Sequence, residues 1–194
     1  MGHYDEDTAL VVVDVQNDFA DPAGSLYVRR APGLVDEVNE EIASALEGGA
    51  IVVYTQDWHP PDTPHFEKDG GVWPVHCVRD TWGAQLHPEL RVEGEVVRKG
   101  TGGEDGYSGF TVRDPMTGEE EPTRLDELLR ERGVRRVVVA GLCQDVCVKE
   151  TALDAIAAGY ETVVPESATR PVEVEPGDEE RAWEEMRQAG IKVA

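Results

Sequence analysis

Residues Val134–Ala158 read VRRVVVAGLCQDVCVKETALDAIAA. The first part, Val134 to Ala140 (VRRVVVA), carries the β-branched apolar run Val137–Val139 after two arginines and reads as a strong strand. Gly141 permits a tight turn. From Asp145 to Ala158, Val148, Thr151, Ala152, Ala155 and Ile156 recur at helical spacing and mark the inward face of a helix. A buried strand that runs straight into a helix is half of a βαβ unit, and it predicts a parallel sheet.

The neighbouring segments repeat the pattern. Thr8–Val13 (TALVVV) and Ala50–Tyr54 (AIVVY) are further buried strands. Between them, Leu34, Val35, Val38, Ile42, Ala45 and Leu46 give a helix over 33–46, stopped by Gly48 and Gly49. A long segment rich in Pro, His, Trp and Gly, residues 55–93, precedes a short strand over 95–98. Residues 100–121 read as loop. A helix over 123–132 follows, with Thr123 as cap and Asp126 three residues on. A strand at 162–164, a helix over 178–189 and a last strand at 191–193 complete the chain. The alternation predicts one domain over residues 1–194: a three-layer α/β/α structure around a doubly wound, mostly parallel sheet. Ligands in such sheets bind beyond the carboxyl ends of the strands. Those ends fall at Asp14, Asp57, Lys99 and the turn from Gly141 to Cys147.

Composition narrows the function. The chain has 40 acidic against 18 basic residues, a formal net charge of −22, which disfavours nucleic acid and anionic membranes as partners. Lysine is scarce (Lys68, Lys99, Lys149, Lys192) and arginine carries most of the positive charge. Carboxylate excess with little lysine suits a protein working in high salt, where self-repulsion is screened. No apolar run approaches the roughly 20 residues of a membrane span. Met1 to Thr8 is polar and acidic, unlike a signal peptide, so the reading is cytoplasmic. Three cysteines, Cys77, Cys143 and Cys147, do not make a disulfide framework.

Several residues can carry chemistry, each beside a blander role. Asp14 ends the first strand, where lost solvation raises a carboxyl pKa; it could equally be a strand-end cap. Asp57 and His59 lie two apart in extended chain and can face one side. With His65 and His76 nearby, they form a candidate N/O site for a divalent transition metal, although a lone loop histidine is usually only hydrogen-bonded. His3 and His87 have no such company. Lys99 is a rare lysine at a strand end, either facing a pocket or simply on the surface. Cys147 stands where a strand becomes a helix, a place that favours a thiolate and offers N–H groups to an oxyanion. Its bland role is that of a small buried hydrophobe, the role given to Cys77.

Taken together, VVDVQNDF, GSL, TQDWHP, HF, WPVHC, RKG, DGYSGF and GLCQDVCVKETALDA occur in an order that resembles the isochorismatase-like cysteine hydrolases, and within them the nicotinamidases, also called pyrazinamidases. The resemblance runs from Asp14 to about Asp154. It implies hydrolysis of nicotinamide to nicotinate and ammonia, with pyrazinamide as a further substrate and a place in NAD salvage. It implies a triad of Asp14, Lys99 and Cys147. A metal, zinc first and iron or manganese next, would be held by Asp57, His59 and His76, with His65 as a further ligand. It implies a cis peptide before Cys143, an oxyanion hole from the N–H groups of Cys143 and Cys147, and a substrate pocket walled by Phe19, Trp73 and Tyr107. Two positions depart from the family pattern: Cys143, where alanine is common, and Val146, where some members carry an aromatic residue or histidine. The family offers both monomers and homodimers. The alternative within the superfamily is a hydrolase of ureido or carbamoyl amides, which would keep the triad and not require the metal ligands.

Overall fold

The computed structural model describes residues 4–194; Met1–His3, and with them the unaccompanied His3, lie outside the described residues. The central strand is β1, Thr8–Val13, in which every residue is buried. Its side chains alternate across the sheet. Leu10 and Val12 enter one apolar cluster, and Ala9, Val11 and Val13 enter another. A strand buried on both faces needs a continuous apolar run rather than an alternating one, which is why TALVVV reads as it does.

Around β1 stand β2 (Ile51–Asp57), β3 (Glu95–Lys99), β6 (Arg136–Leu142), β7 (Glu161–Val164) and β9 (Lys192–Val193), in the order β3-β2-β1-β6-β7-β9. The short β8 (Thr169–Arg170) pairs with the end of β6, and all of these pairings are parallel. The chain winds from β1 through β2 to β3, then crosses to β6 and winds the other way. The reversal lies between β1 and β6, so the carboxyl ends of these two strands diverge around a cleft.

Helix α2, Leu34–Glu47, covers one face. Its buried Leu34, Val38, Ile42 and Ala45 meet Leu10, Val12, Val52 and Val138. The other face is covered by α3 (Leu125–Glu131), α4 (Lys149–Ala157) and α5 (Asp178–Gln188), through Leu125, Leu129, Ala152, Ala155, Trp183 and Met186. Each fully buried aliphatic side chain of this size contributes about 1.5–3 kcal/mol relative to exposure. The three-layer, doubly wound, parallel architecture expected from the sequence is the one observed. No helix among the described residues is long and apolar enough to cross a membrane.

Four local expectations are corrected. The segment 100–121 is not all loop: it holds most of a two-stranded antiparallel hairpin, β4 (Thr111–Arg113) with β5 (Glu120–Pro122), whose strands, three residues each, are partly buried in β4 and exposed in β5 and too short to show apolar alternation. Helix α3 starts at Leu125, and the Thr123 hydroxyl accepts the Leu125 N–H while donating to the Gly109 carbonyl. The start of the helix over 145–158 is a single wide π-type turn, Gln144–Val148, and Ile156 is only half-buried. A one-turn helix, α1 (Asn17–Ala20), and β8 are too short to carry a periodic signal.

Candidate active site

The ends of β1, β2 and β3 bring three charged side chains together in the dry interior. In the register of β2 with β3, Asp57 is the direct partner of Lys99. Lys99 is 1% exposed. Its Nζ donates to Asp14 Oδ2 at 2.7 Å, to Asp57 Oδ1 at 2.6 Å and to the Gly106 carbonyl. An ammonium has three donors, and all three are used. The Thr55 hydroxyl donates to Asp14 Oδ1 at 2.7 Å, so both Asp14 oxygens are engaged. Asp14 also takes a positive φ of 51°, rare for a residue with a Cβ, which turns it out of the strand toward Lys99.

One ammonium between two carboxylates leaves an excess negative charge, and the two respond differently. Burial raises the Asp14 carboxyl to about 6, a shift that Lys99 opposes and Asp57 reinforces. Burial would raise Asp57 as well, but Lys99 and the neighbouring His59 and His76 hold it below the usual carboxylate range. Burial works against Lys99, yet the two carboxylates raise its pKa well above the ordinary lysine value. The cluster is therefore a fixed ammonium and a fixed carboxylate, with Asp14 as the group that can exchange a proton near neutrality.

Cys147 approaches from the other side of the switch point. Strand β6 ends at Gly141 and Leu142, next to β1. A Cβ on Gly141 would fall 2.2 Å from the Val13 carbonyl oxygen at a φ of 116°, so only glycine lets the turn pass this close. The Leu142–Cys143 peptide is cis, as the family resemblance implied. The wide turn places Cys147, 7% exposed, so that its Sγ and one carboxylate oxygen each from Asp14 and Asp57 all lie within 4.8 Å of one another. The start of the helix does not make a resting thiolate. Burial pushes the Cys147 thiol well above its ordinary value, Lys99 pulls against this, and Asp14 and Asp57 add to the rise. The resting pair is a thiol beside a carboxylate.

The long segment after β2 folds back to set three buried imidazoles beside Asp57. One ring nitrogen each from His59, His65 and His76 lie within 4.8 Å of one another. Nε2 of His59 and of His76 stand 3.7 and 3.8 Å from Asp57 Oδ2, the oxygen that Lys99 leaves free. His59 is 0% exposed, and neither of its ring nitrogens has a hydrogen-bond partner among the described residues. A buried imidazole without partners costs desolvation energy that a bound cation would offset. Three imidazoles and one carboxylate oxygen form an N/O donor set suited to a divalent transition metal, so the residues present fit such an ion. Gly100 makes room: with φ of 71°, its Cβ would lie 2.5 Å from His59 Cε1.

A cavity of about 360 Å³, open mouth included, joins the two sides. Cys147, Cys143, Asp57, His65 and His76 line it, with Phe19, Trp73 and Tyr107 as aromatic walls. Phe19 lies 5.4 Å from the His76 ring, and Trp73 Nε1 donates to the Tyr107 hydroxyl at 3.0 Å. The candidate site residues named from the sequence thus line this cavity or, for Asp14, Lys99 and His59, lie directly behind its wall around Asp57. His87, given no role, stays on the surface side with its Nδ1 accepting the Glu89 N–H.

Sequence reasoning passed over four residues. The Gln16 side chain donates to the Asp57 and Ala84 carbonyls and accepts the Asp57 N–H, bracing β2 where it ends. Its signal was a polar residue inside VVVDVQ. Thr55 was hidden by being an ordinary strand residue. Asp145 accepts the Val172 and Glu173 N–H groups at 2.9 and 2.7 Å and so holds Val172 on the cavity wall. Asp105 accepts from His65 Nδ1 across 2.6 Å; it stood in DGYSGF without a role.

A doubly wound parallel sheet with a buried thiol, carboxylate and ammonium at its switch point defines a cysteine hydrolase framework. The chain belongs to the isochorismatase family: the isochorismatase domain matches residues 8–194. It is 38% identical to the nicotinamidase/pyrazinamidase of Mycobacterium tuberculosis, over 95% of this chain and 97% of the relative. It is 36% identical to the nicotinamidase of Escherichia coli, over 95% and 93%. The crystal structure of the pyrazinamidase of Pyrococcus horikoshii in complex with zinc superimposes with a TM-score of 0.86 at 40% identity, covering 97% of this chain and 98% of that one.

Proposed function

We propose that the chain hydrolyses nicotinamide to nicotinate and ammonia through a thioester on Cys147. The observation that carries this is the shared cavity: a buried thiol beside Asp14 and Lys99 faces the same aromatic-walled space as Asp57, His65 and His76, with the third imidazole, His59, clustered behind them. Asp57, His59 and His76, with His65, would hold a divalent ion, zinc first and iron or manganese by the same donor set. When bound, the ion would supply an electrophilic anchor for the pyridine nitrogen.

The chain's own groups account for the rest. Phe19, Trp73 and Tyr107 wall the flat ring and limit its tilt, which brings the carboxamide to Cys147. Asp14 takes the Cys147 proton as sulfur attacks the carboxamide carbon. Lys99 keeps its charge beside Asp14 and opposes the cost of ionising groups in a dry site. The backbone N–H groups of Cys143 and Cys147 would hold the oxyanion. Asp14 returns the proton to nitrogen as the C–N bond breaks and ammonia leaves. Asp14 then takes a proton from water as it attacks the thioester, and returns that proton to sulfur as the C–S bond breaks, giving the acid and regenerating the thiol and the Asp14 carboxylate.

Pyrazinamide carries a ring nitrogen in the corresponding position and fits the same scheme. The free Cys77, Cys143 and Cys147 suit a reducing cytoplasm, and NAD salvage follows from the reaction. The charge of −22 suits work in high salt. We read the chain as a single domain that acts as a monomer or homodimer. A hydrolase of ureido or carbamoyl amides would keep the triad but not require three buried imidazoles beside Asp57. Metal-replete protein incubated with nicotinamide in molar salt should release ammonia and nicotinate in equal amounts, and lose this on chelation. No release from folded, metal-replete protein would overturn the reading.

A further inference from the structure

We infer that Asp105, itself held by Arg113, is a positioning residue that sets His65 for the metal ion; the inference rests on the metal-bound reading above. His65 is 3% exposed, and its Nδ1 lies 2.6 Å from Asp105 Oδ1. An imidazole that ligates a cation is neutral and offers one lone pair. A carboxylate can only accept a hydrogen bond. Its contact with Nδ1 therefore places the ring proton there and leaves Nε2 as the ligating atom.

The three imidazoles are held in different ways. His76 turns Nδ1 to the Pro74 carbonyl at 2.8 Å, a neutral dipole. His59 has no hydrogen-bond partner on either nitrogen among the described residues and is kept in place by packing against Gly100, Phe66 and His65. His65 has a full negative charge behind it. That charge makes the ring a stronger donor and fixes its orientation, the part played by carboxylates behind metal-ligating histidines in general.

Asp105 is itself anchored on both sides. Its backbone exchanges two hydrogen bonds with Arg113, N to O at 2.7 Å and O to N at 3.1 Å. The Arg113 guanidinium donates to Asp105 Oδ2 at 3.1 Å. One carboxylate oxygen therefore serves His65 and the other serves Arg113. The Arg113 side chain is half-exposed, so water can replace part of its contact and its influence is the weaker of the two. Arg113 ends β4, which gives the hairpin absent from the sequence reading a function: it carries the brace behind His65.

The test is zinc(II) affinity, measured by competition with a chelating dye on metal-free protein, together with the thermal midpoint of that apoprotein. Asp105→Ala should weaken zinc binding by about 10- to 100-fold. Asp105→Asn, which keeps an acceptor without the charge, should fall between Ala and wild type, and it carries the test if the Ala variant does not fold. Arg113→Ala should weaken binding by less than about tenfold. In a His65→Ala background, Asp105→Ala should change zinc affinity no further. If wild-type protein binds no zinc, the metal-bound reading itself fails, and this inference with it. If wild type binds one equivalent and Asp105→Ala and Asp105→Asn bind as tightly, the positioning role alone is overturned. An equal loss on Asp105→Ala with and without His65 overturns it too, since that loss would not pass through the imidazole.

Discussion

The nucleophile side and the histidine side of the cleft are built differently. Cys143 and Cys147 occupy a single turn between β6 and α4, braced by a glycine pressed against β1. The histidine side draws on His59, His65 and His76 from one long segment, on Asp57 from β2, and on Asp105 from the next loop. The first is local geometry and follows from the strand–turn–helix path. The second is a convergence of distant chain, held by Gln16, Gly100 and Asp105. Each side should therefore fail on its own, and the Lys99 cluster between them should be where both fail together.

The largest effect should come from the nucleophile side. Cys147→Ala should reduce nicotinamide turnover by roughly ten-thousand-fold or more, the scale seen when a hydrolase loses its nucleophile. Its metal content, measured by elemental analysis, should equal that of wild type. Comparable turnover in the variant would remove the covalent mechanism, and loss of metal would show that the two sides are not separable.

Lys99→Met strikes the shared centre. It leaves Asp14 and Asp57 buried without their cation, a defect that costs about 3–5 kcal/mol in comparable cases. Chemical denaturation should show that loss, and metal binding and turnover should fall with it. A variant as stable as wild type would mean that the two carboxylates find other partners. On the histidine side, His59→Ala should weaken zinc binding by more than about 100-fold, beyond the effect of an outer partner. The Cys147 thiol should remain present and alkylatable. Retention of full metal occupancy would move His59 out of the ligand set.

Asp14 gives the comparison a pH axis. Its carboxyl is raised to about 6 from 3.8, chiefly by burial, and the chemistry needs it as the carboxylate. The kcat/KM profile should therefore have its acid limb near pH 6, falling about tenfold per pH unit below it. The same shift has the opposite sign for stability. The folded chain holds this proton more tightly than the unfolded one, so the stabilisation from the protonated group is lost as pH rises from about 4 to about 6. An acid limb near pH 4 would mean that Asp14 is not the titrating group.

The same contrast explains what could be read from sequence. The parallel sheet was legible because a strand buried on both faces carries a continuous apolar run, as in the ALVVV of β1 and the VVVA of β6. Asp14, Lys99 and Cys147 were marked by standing at or just after strand ends, but only the family resemblance joined them into a proposed triad. Asp57, His59, His65 and His76 were legible as a cluster of scarce donor residues in one segment. The brace from Asp105 was not. An aspartate in a glycine-rich loop is ordinary, and its partner His65 lies 40 positions away. Hairpin β4–β5 was missed for a related reason: its short strands are fixed by backbone bonds, which leave no periodic trace. Position at a helix start, which favours a thiolate at Cys147, is visible in sequence, whereas the burial beside two carboxylates that opposes it is not.

The smallest effects should appear at the surface, and they sharpen the comparison from outside. Arg135 pairs with Asp7, and Arg124 with Glu95, but these arginines are 80% and 58% exposed. Water and salt screen such pairs, so Arg135→Ala should move the thermal midpoint by no more than about 2 °C. The repulsion summed over a net charge of −22 is another matter. Raising salt from about 0.1 to 1 M shortens the screening length from about 10 to about 3 Å, and the midpoint should climb as surface repulsion fades. The Asp14 limb should stay near pH 6 over the same range, because Lys99 contacts it directly and Asp57 shares the same buried ammonium, out of reach of electrolyte. If salt moved the acid limb as strongly as the midpoint, the cluster would have to be open to solvent, and the distinction between a dry, fixed centre and a screened exterior would fail.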